Sequence, residues 1–113
     1  MSRPDRARLG DIRAACEAIT NYVAREGTDD DLVFEAIRVR LIEIGEAVKD
    51  IDPKLLATEP RIPWAEISRI RDKLAHRYFD TAHSIVRATA TKDVPALAAA
   101  VERLRERISQ AAN

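Results

Sequence analysis

The feature that most constrains this chain is an apolar residue that recurs every three or four positions through its first half. One such set runs from residue 34 to residue 51 and comprises Phe34, Ile37, Leu41, Ile44, Val48 and Ile51. An earlier set has the same spacing and comprises Leu9, Ile12, Cys16, Ile19 and Val23. Because a helix repeats every 3.6 residues, each set forms one face that must be buried. Two long amphipathic helices are therefore predicted, the first ending near Gly27 and the second starting with a capping-box-like pair, Thr28 and Asp31.

Prolines interrupt the stretch that follows. Pro53, Pro60 and Pro63 exclude a continuous helix and predict a loop with at most one helical turn, around residues 54–57. Pro63 is then expected to open a third helix, whose apolar face comprises Trp64, Ile67, Ile70 and Leu74.

The last third of the chain predicts two more helices. Asp80 or Thr81 is expected to cap a short fourth helix, and Asp93 is expected to cap the fifth. The fifth helix has its own apolar stripe, formed by Leu97, Val101, Leu104 and Ile108, and its charged residues, which include Arg103 and Arg107, are expected to face water. The chain is therefore predicted to be all-α, an antiparallel up-down bundle of about four to five helices that forms one domain over residues 1–113.

Composition agrees with a helical protein and narrows the range of partners. Aromatic residues make up 4% of the 113 residues, and 34% are charged with a net charge of zero. The protein as a whole is therefore not attracted to nucleic acid or to an anionic membrane, so either partner would need a local patch. The single cysteine, Cys16, is expected to be a buried thiol. With no apolar run of membrane-spanning length and a charged N-terminus, a soluble cytoplasmic protein without a membrane partner is expected.

Residues 71–80, with the sequence RDKLAHRYFD, carry the groups best suited to chemistry. On an ideal helix Arg71 falls in the broad sector of Ile70 and Leu74, whereas His76 lies nearly opposite, beside Asp72. The i, i+4 spacing of Asp72 and His76 would let the carboxylate hold one imidazole nitrogen and leave the other free to move a proton. Arg71 is about 140° from His76 around the helix, so the two side chains converge only if the long guanidinium swings round.

A local excess of positive charge surrounds this stretch. Residues 61–87 contain six basic and three acidic residues, a charge of +3 in a chain that is neutral overall. Such a surface, with few aromatics to stack bases, should bind phosphates and shape more than base sequence, with a steep dependence on salt.

Composition alone leaves a plainer interpretation open, in which residues 71–80 are a solvated helix end with a surface histidine. Metal chemistry is not indicated, because the chain has two histidines and one cysteine without paired-ligand spacing, and no cofactor is expected.

The joint pattern resembles the HepT-like branch of the HEPN superfamily. The signature of that branch is R-x4-H-x-Y, which Arg71, His76 and Tyr78 match in RDKLAHRYF. The flanks agree: RLIEIGEA at 40–47 is similar to the family's I-G-E-A element, and IPWAEISRIRD at 62–72 has the tryptophan that opens its motif helix. The resemblance extends over about residues 9–108.

This resemblance implies a fold, an activity and partners. It implies the toxin of a toxin–antitoxin pair, a metal-independent endoribonuclease in which Arg71 and His76 cut RNA by attack of the 2′-hydroxyl group. It also implies a homodimer whose two motifs face a shared cleft. Asp72 as the group that orients His76 is an inference from spacing alone, and Gly45 either permits a close approach between helices or is an ordinary packing residue.

Tyr78 is the third element of the motif. The resemblance implies that a nucleotidyltransferase antitoxin transfers AMP to Tyr78, which would place bulk and negative charge where an RNA phosphate must bind. The alternative is a tyrosine whose ring packs at the edge of the bundle with its hydroxyl in water. A different class of function also stays open, in which the chain is a non-catalytic helical partner of a nucleotidyltransferase.

Overall fold

The computed structural model describes residues 2–26, 31–75 and 79–112, and every regular element within them is helical. The elements are α1 (Ser2–Glu26), α2 (Asp31–Lys49), α3 (Pro53–Leu56), α4 (Trp64–Ser68), α5 (Ile70–Ala75), α6 (Phe79–Ala88), a π-helical turn (Thr89–Asp93) and α7 (Val94–Ala112). The all-α prediction is confirmed, and α1 is helical up to Glu26, the last described residue before Gly27. Thr28, half of the predicted capping pair, lies outside the described residues.

The core forms where the apolar stripes of the three longest helices meet. α1 packs against both α2 and α7. The predicted stripes supply the core, whose most completely buried large side chains are Leu9, Ile12, Ile19, Ile37, Ile44 and Leu104. Trp64, Ile67 and Ile85 are half-buried against its edge. The apolar periodicity therefore located the core, and the shorter elements are attached to one side of it.

The proline-containing loop has the single turn that was predicted. Pro53 occupies the first turn of α3, where its missing N–H is not needed, and the Asp52 carboxylate accepts a hydrogen bond from the Lys54 backbone N–H at 2.9 Å. The backbone N–H of Asp52 in turn donates to the Asp5 carboxylate at 3.3 Å, which ties this loop to α1.

The third predicted helix is divided in two. Trp64 begins α4 as predicted, but Arg69 has φ −103° and ψ 11°, and the chain restarts as α5 at Ile70. The Ser68 hydroxyl donates to the Ala65 carbonyl at 2.7 Å, a local bond that competes with regular helix hydrogen bonding and favours a bend. The direction of α5 is therefore set separately from that of α4.

Two predicted caps are wrong. α6 already begins at Phe79, so Asp80 and Thr81 belong to its first turn. Asp93 does not cap the last helix, because α6 continues into α7 through the π-helical turn, closed by a bond from the Val94 N–H to the Thr89 carbonyl. The physical reason lies in Pro95: it has no N–H for the carbonyl four residues earlier, so the chain widens by one residue there and does not stop.

Candidate functional site

The segment that carries Arg71 rests on a glycine of α2. A Cβ atom added at Gly45 would lie 2.7 Å from the backbone oxygen of Ile67 and 2.9 Å from Cγ2 of Ile70. Both distances are shorter than van der Waals contact, so any larger residue at this position would push α4 and α5 away. Of the two interpretations of Gly45, the close approach between helices is the correct one.

Because α5 packs on Gly45, it has an inner face towards α2 and an outer face towards solvent. Ile70 and Leu74 are buried, whereas Arg71 and Asp72 are exposed. The helical wheel places Arg71 in the apolar sector, but its side chain is exposed to solvent. Within the described parts of the chain, no hydrogen bond or ion pair holds the guanidinium of Arg71. Its five N–H donors are therefore available to an external anion.

The partners predicted for Arg71 fall in a part of the chain that is not described. His76 and Tyr78 lie between the described ranges 31–75 and 79–112, together with Arg77. The convergence of Arg71 with His76 and the acceptor role of Tyr78 stay predictions. Asp72 is exposed and, among the described residues, forms no hydrogen bond or ion pair, so its pairing with His76 also stays a prediction.

A buried carboxylate fixes the loop that leads into this segment. Glu59 is 7% exposed and accepts hydrogen bonds from Arg103 Nε at 3.0 Å and from Arg103 Nη2 at 2.7 Å. Arg107 Nη1 lies 2.7 Å from Glu59 Oε2, the oxygen that also accepts from Arg103 Nε. The bonds from Arg103 are the main cause that lowers the pKa of Glu59 to about 2, with Arg107 adding to them against the opposing effect of burial. We call Glu59, Arg103 and Arg107 the Glu59 cluster.

The Glu59 cluster also holds the first residue of α4. The indole N–H of Trp64 donates to the backbone oxygen of Glu59 at 3.0 Å. The start of α4 is therefore tied through Glu59 to α7, while its end rests on Gly45 of α2. These two attachments determine where α5 begins, one residue before Arg71.

Sequence reasoning did not find the Glu59 cluster. Arg103 and Arg107 are partly exposed to water, as expected, but both also bind Glu59 across the fold, which was not expected. Glu59 itself lies between Thr58 and Pro60 in a loop without apolar periodicity, so no local pattern distinguishes it. The one available signal was the pair of arginines at i, i+4 on α7, a spacing that places both on one face.

The basic patch predicted over residues 61–87 is only partly gathered. Arg61 and Lys73 line one cavity, whereas Arg69 and Arg71 are exposed to solvent. Lys73 Nζ lies 3.9 Å from Glu66 Oε2, a loose surface pair that contributes little to stability.

Other reactive groups among the described residues do not suggest chemistry. Cys16 is buried as predicted, and burial raises the pKa of its thiol to about 11, so it stays protonated and unreactive at neutral pH. In residues 2–26, 31–75 and 79–112 there is no group of three His, Cys, Asp or Glu side chains that could hold a metal ion. None of the helices described is both long enough and apolar enough to cross a bilayer.

Most of the chain is similar to one family of known proteins. A family model described as "Ribonuclease HepT-like" matches residues 12–104. A protein of Thermococcus cleftensis named "Probable ribonuclease HepT" is 34% identical over 110 residues, which cover 94% of this chain and 100% of that protein. A protein of Caldanaerobacter subterraneus whose name provisionally assigns it as an RNase is 36% identical over 93 residues, or 79% of this chain and 83% of its own length. No solved structure matches the chain.

Proposed function

Because the chain belongs to the HepT-like ribonuclease family, we propose that it is an endoribonuclease that cuts RNA without a metal ion. The observation that carries the proposal is the exposed guanidinium of Arg71, which has no bonding partner in the described residues although the α4–α5 segment is held at Trp64 and at Gly45. A cation that the fold positions but that binds none of the described residues is suited to an external phosphate.

The chemistry assigns separate tasks to Arg71 and His76. The 2′-hydroxyl oxygen of the RNA attacks the neighbouring phosphorus atom, the bond from phosphorus to the 5′-oxygen breaks, and a 2′,3′-cyclic phosphate and a 5′-hydroxyl result. Arg71 binds the two non-bridging oxygens and stabilises the extra negative charge of the pentacovalent intermediate. His76 takes the proton from the 2′-hydroxyl or gives one to the leaving oxygen, a contribution of about 10²–10⁴-fold in rate. Asp72 orients the imidazole.

Two copies of the chain form the complete site. A homodimer places the two motif segments at a shared cleft, so that His76, which points away from its own core on the helical wheel, faces a surface closed by the second subunit. In the cytoplasm this enzyme acts as the toxin of a toxin–antitoxin system. The resemblance of residues 71–78 to the R-x4-H-x-Y signature supports this role.

The antitoxin is a nucleotidyltransferase that modifies Tyr78. The phenolic oxygen of Tyr78 attacks the α-phosphorus of ATP, pyrophosphate leaves, and AMP remains on the tyrosine. The adenylate adds bulk and negative charge two residues from His76, and RNA phosphate is repelled. Mass spectrometry of Tyr78 after co-expression with a cognate minimal nucleotidyltransferase tests this step, and an unmodified tyrosine would exclude it.

The ribonuclease proposal is tested with purified protein, RNA and EDTA. Wild-type protein is expected to cut RNA and to leave cyclic phosphate ends, whereas His76→Ala and Arg71→Ala lose activity. Arg25→Ala, which removes an exposed arginine of α1, serves as the matched control and keeps activity. No cleavage by wild-type protein, or equal cleavage by His76→Ala, would overturn the proposal.

Growth of cells expressing the chain alone separates the alternative function. A ribonuclease toxin arrests growth in the absence of its antitoxin. Harmless expression of a protein that still binds the nucleotidyltransferase would instead favour the non-catalytic helical partner.

A further inference from the structure

A cavity of about 210 Å³ opens beside α5. α2 forms its floor, α4 and α5 form one wall, and α6, the π-helical turn and α7 form the other. The lining is mainly aliphatic, and its apolar side chains include Leu41, Ile44, Ile67, Ile70, Ile85 and Leu97. A concave, largely apolar surface with a few polar groups at its edge is the usual form of a binding site for a small flat or apolar group.

The cavity lies next to the guanidinium assigned to the phosphate. Ile70 and Lys73 of α5 both line it, and Arg71 stands between them in the chain on the outer face of the same helix. The opening is therefore within one helical turn of Arg71. Arg61 at the edge offers a second guanidinium to the adjoining phosphate, whereas the Lys73 ammonium lies 3.9 Å from the carboxylate of Glu66, which also lines the cavity.

The polar groups on the opposite wall are hydrogen-bond acceptors. The Thr89 hydroxyl donates to the Ile85 carbonyl at 2.8 Å, which leaves its oxygen lone pairs free to accept. Asp93 is exposed at the edge, and its carboxylate has no hydrogen bond or ion pair with any other described residue. An ionised carboxylate can only accept, so the occupant that matches this wall carries N–H donors.

The π-helical turn supplies both of these acceptors. Thr89 and Asp93 are its first and last residues, and the extra residue in the turn widens the wall of the cavity at this point. π-helical turns are rare, and they occur frequently at functional sites. The turn is therefore a second, independent feature that marks this wall.

We infer that the cavity holds one unpaired nucleobase of the RNA, and that it prefers a base with an exocyclic amine, which offers two N–H donors to the two acceptors, over uracil, which offers only its N3–H. The base lies between aliphatic side chains with its amine directed to Asp93 and Thr89, while the adjoining phosphate reaches Arg71. Proteins that recognise single-stranded RNA hold bases in this way, with the face packed and the edge hydrogen-bonded. The inference rests on the proposed ribonuclease function and adds base selectivity to a site that sequence reasoning expected to recognise phosphates and shape.

The first test measures binding without cleavage. The probes are fluorescent single-stranded oligomers of 2′-O-methyl adenosine, cytidine or uridine, which lack the 2′-hydroxyl nucleophile. The adenosine and cytidine oligomers are expected to bind about tenfold more tightly than the uridine oligomer, the value of one well-placed base contact. Equal affinity for all three oligomers overturns the inference.

The second test fills the cavity from its edge. Ala96 is exposed and lines the opening, so Ala96→Trp places an indole in the cavity without burying a new group in the core. Ala99→Trp adds the same side chain at another exposed position of α7 that does not line the cavity. Ala96→Trp is expected to remove the tenfold preference and to weaken binding of the adenosine oligomer, whereas Ala99→Trp keeps both. Identical binding by the two variants contradicts the inference.

The third test concerns the carboxylate. Asp93→Asn keeps the size of the side chain but adds a donor, so uridine oligomers should bind as tightly as cytidine oligomers. Unchanged discrimination would show that Asp93 does not face the base.

These measurements distinguish the inference from the proposed function. Protein that cuts RNA but binds all bases equally contradicts the inference and supports the ribonuclease proposal. Base-selective binding of the 2′-O-methyl probes without cleavage of RNA contradicts the ribonuclease proposal and supports the base site. An Ala96→Trp protein that loses binding to the nucleotidyltransferase but keeps RNA binding shows that the cavity takes a protein side chain, which also overturns the inference.

Discussion

Arginine serves opposite purposes in two regions of this molecule. In the Glu59 cluster, Arg103 and Arg107 bind a buried carboxylate through three short contacts, so their donors are satisfied within the fold. On α5, Arg71 is exposed, and its guanidinium forms no hydrogen bond or ion pair with any other described residue. The first arrangement stabilises the position of a loop, and the second leaves hydrogen-bonding capacity for a substrate. An arginine is therefore a candidate for substrate binding when the fold positions its side chain but leaves its N–H donors without acceptors.

The largest effects are expected when Arg71 and Arg103 are replaced by alanine in separate variants. Arg71→Ala is expected to lower the single-turnover rate of RNA cleavage by about 10²–10³-fold, the cost of removing a donor that stabilises developing charge. The thermal unfolding midpoint should stay that of the wild type, because Arg71 makes no bond to another described residue. Arg103→Ala should do the reverse, lowering the midpoint while retaining cleavage at temperatures where the protein stays folded.

Arg71→Lys sharpens this contrast. A lysine restores the charge but cannot bind two phosphate oxygens through a planar fork, so only part of the activity should return. A fully active Arg71→Ala protein would mean that Arg71 is an ordinary surface arginine, and the proposed difference between it and Arg103 would be wrong.

The second prediction concerns Glu59 itself. Glu59→Gln removes the negative charge that faces Arg103 and Arg107 and should lower the free energy of unfolding by about 2 kcal/mol, since charge-assisted hydrogen bonds contribute more than neutral ones. Urea unfolding measures the change. Glu102→Gln is the matched control, because this carboxylate of α7 also pairs with two arginines, Arg13 and Arg105, but is exposed, so the change should affect stability little.

The third prediction follows from the lowered pKa of Glu59. Its carboxyl has an ordinary pKa of 4.5 and a folded-state pKa of about 2, so the folded state favours the ionised form. The stabilisation is fully present above pH 4.5 and is lost as the pH falls towards 2. The difference in unfolding free energy between wild type and Glu59→Gln should therefore shrink across this window. A difference that is constant from pH 7 to pH 2 would mean that the ionised carboxylate is not what holds the loop.

The fourth prediction compares two glycines. Gly45→Ala forces a Cβ against the Ile67 carbonyl, and the shift of α4 and α5 should cost about 1–2 kcal/mol and lower cleavage as Arg71 moves. Gly10→Ala meets nothing within 4 Å on α1, so it should be neutral or stabilising by up to about 1 kcal/mol. If both variants behave alike, the contact at Gly45 does not position the site.

The sequence predicted those parts of the molecule that depend on local repetition. The stripes on α1, α2 and α7 located the core because burial of one helix face follows directly from spacing. The Glu59 cluster joins residues 44 positions apart, and nothing in a solvated helix face reveals which arginine will meet a distant carboxylate. The division of the third predicted helix was missed for a related reason, since the helical wheel assumes a straight helix and the chain bends at Arg69. Motif spacing could nominate residues, but tertiary contacts decided which of them stay free.

The smallest effect is expected at Asp72, the exposed counterpart of Glu59. Glu59 is fixed by two arginines, whereas Asp72 bonds to no other described residue, so Asp72→Asn should leave the unfolding free energy unchanged. If Asp72 orients His76 across one helical turn, the pair contributes a few tenths of a kcal/mol, and the cleavage rate should fall about two- to threefold. The pH–rate profile provides the decisive measurement, because loss of a neighbouring carboxylate lowers the pKa of the imidazole and moves the profile to lower pH. A reduced rate with an unmoved profile would assign Asp72 to the solvated surface and leave His76 to act without an orienting carboxylate.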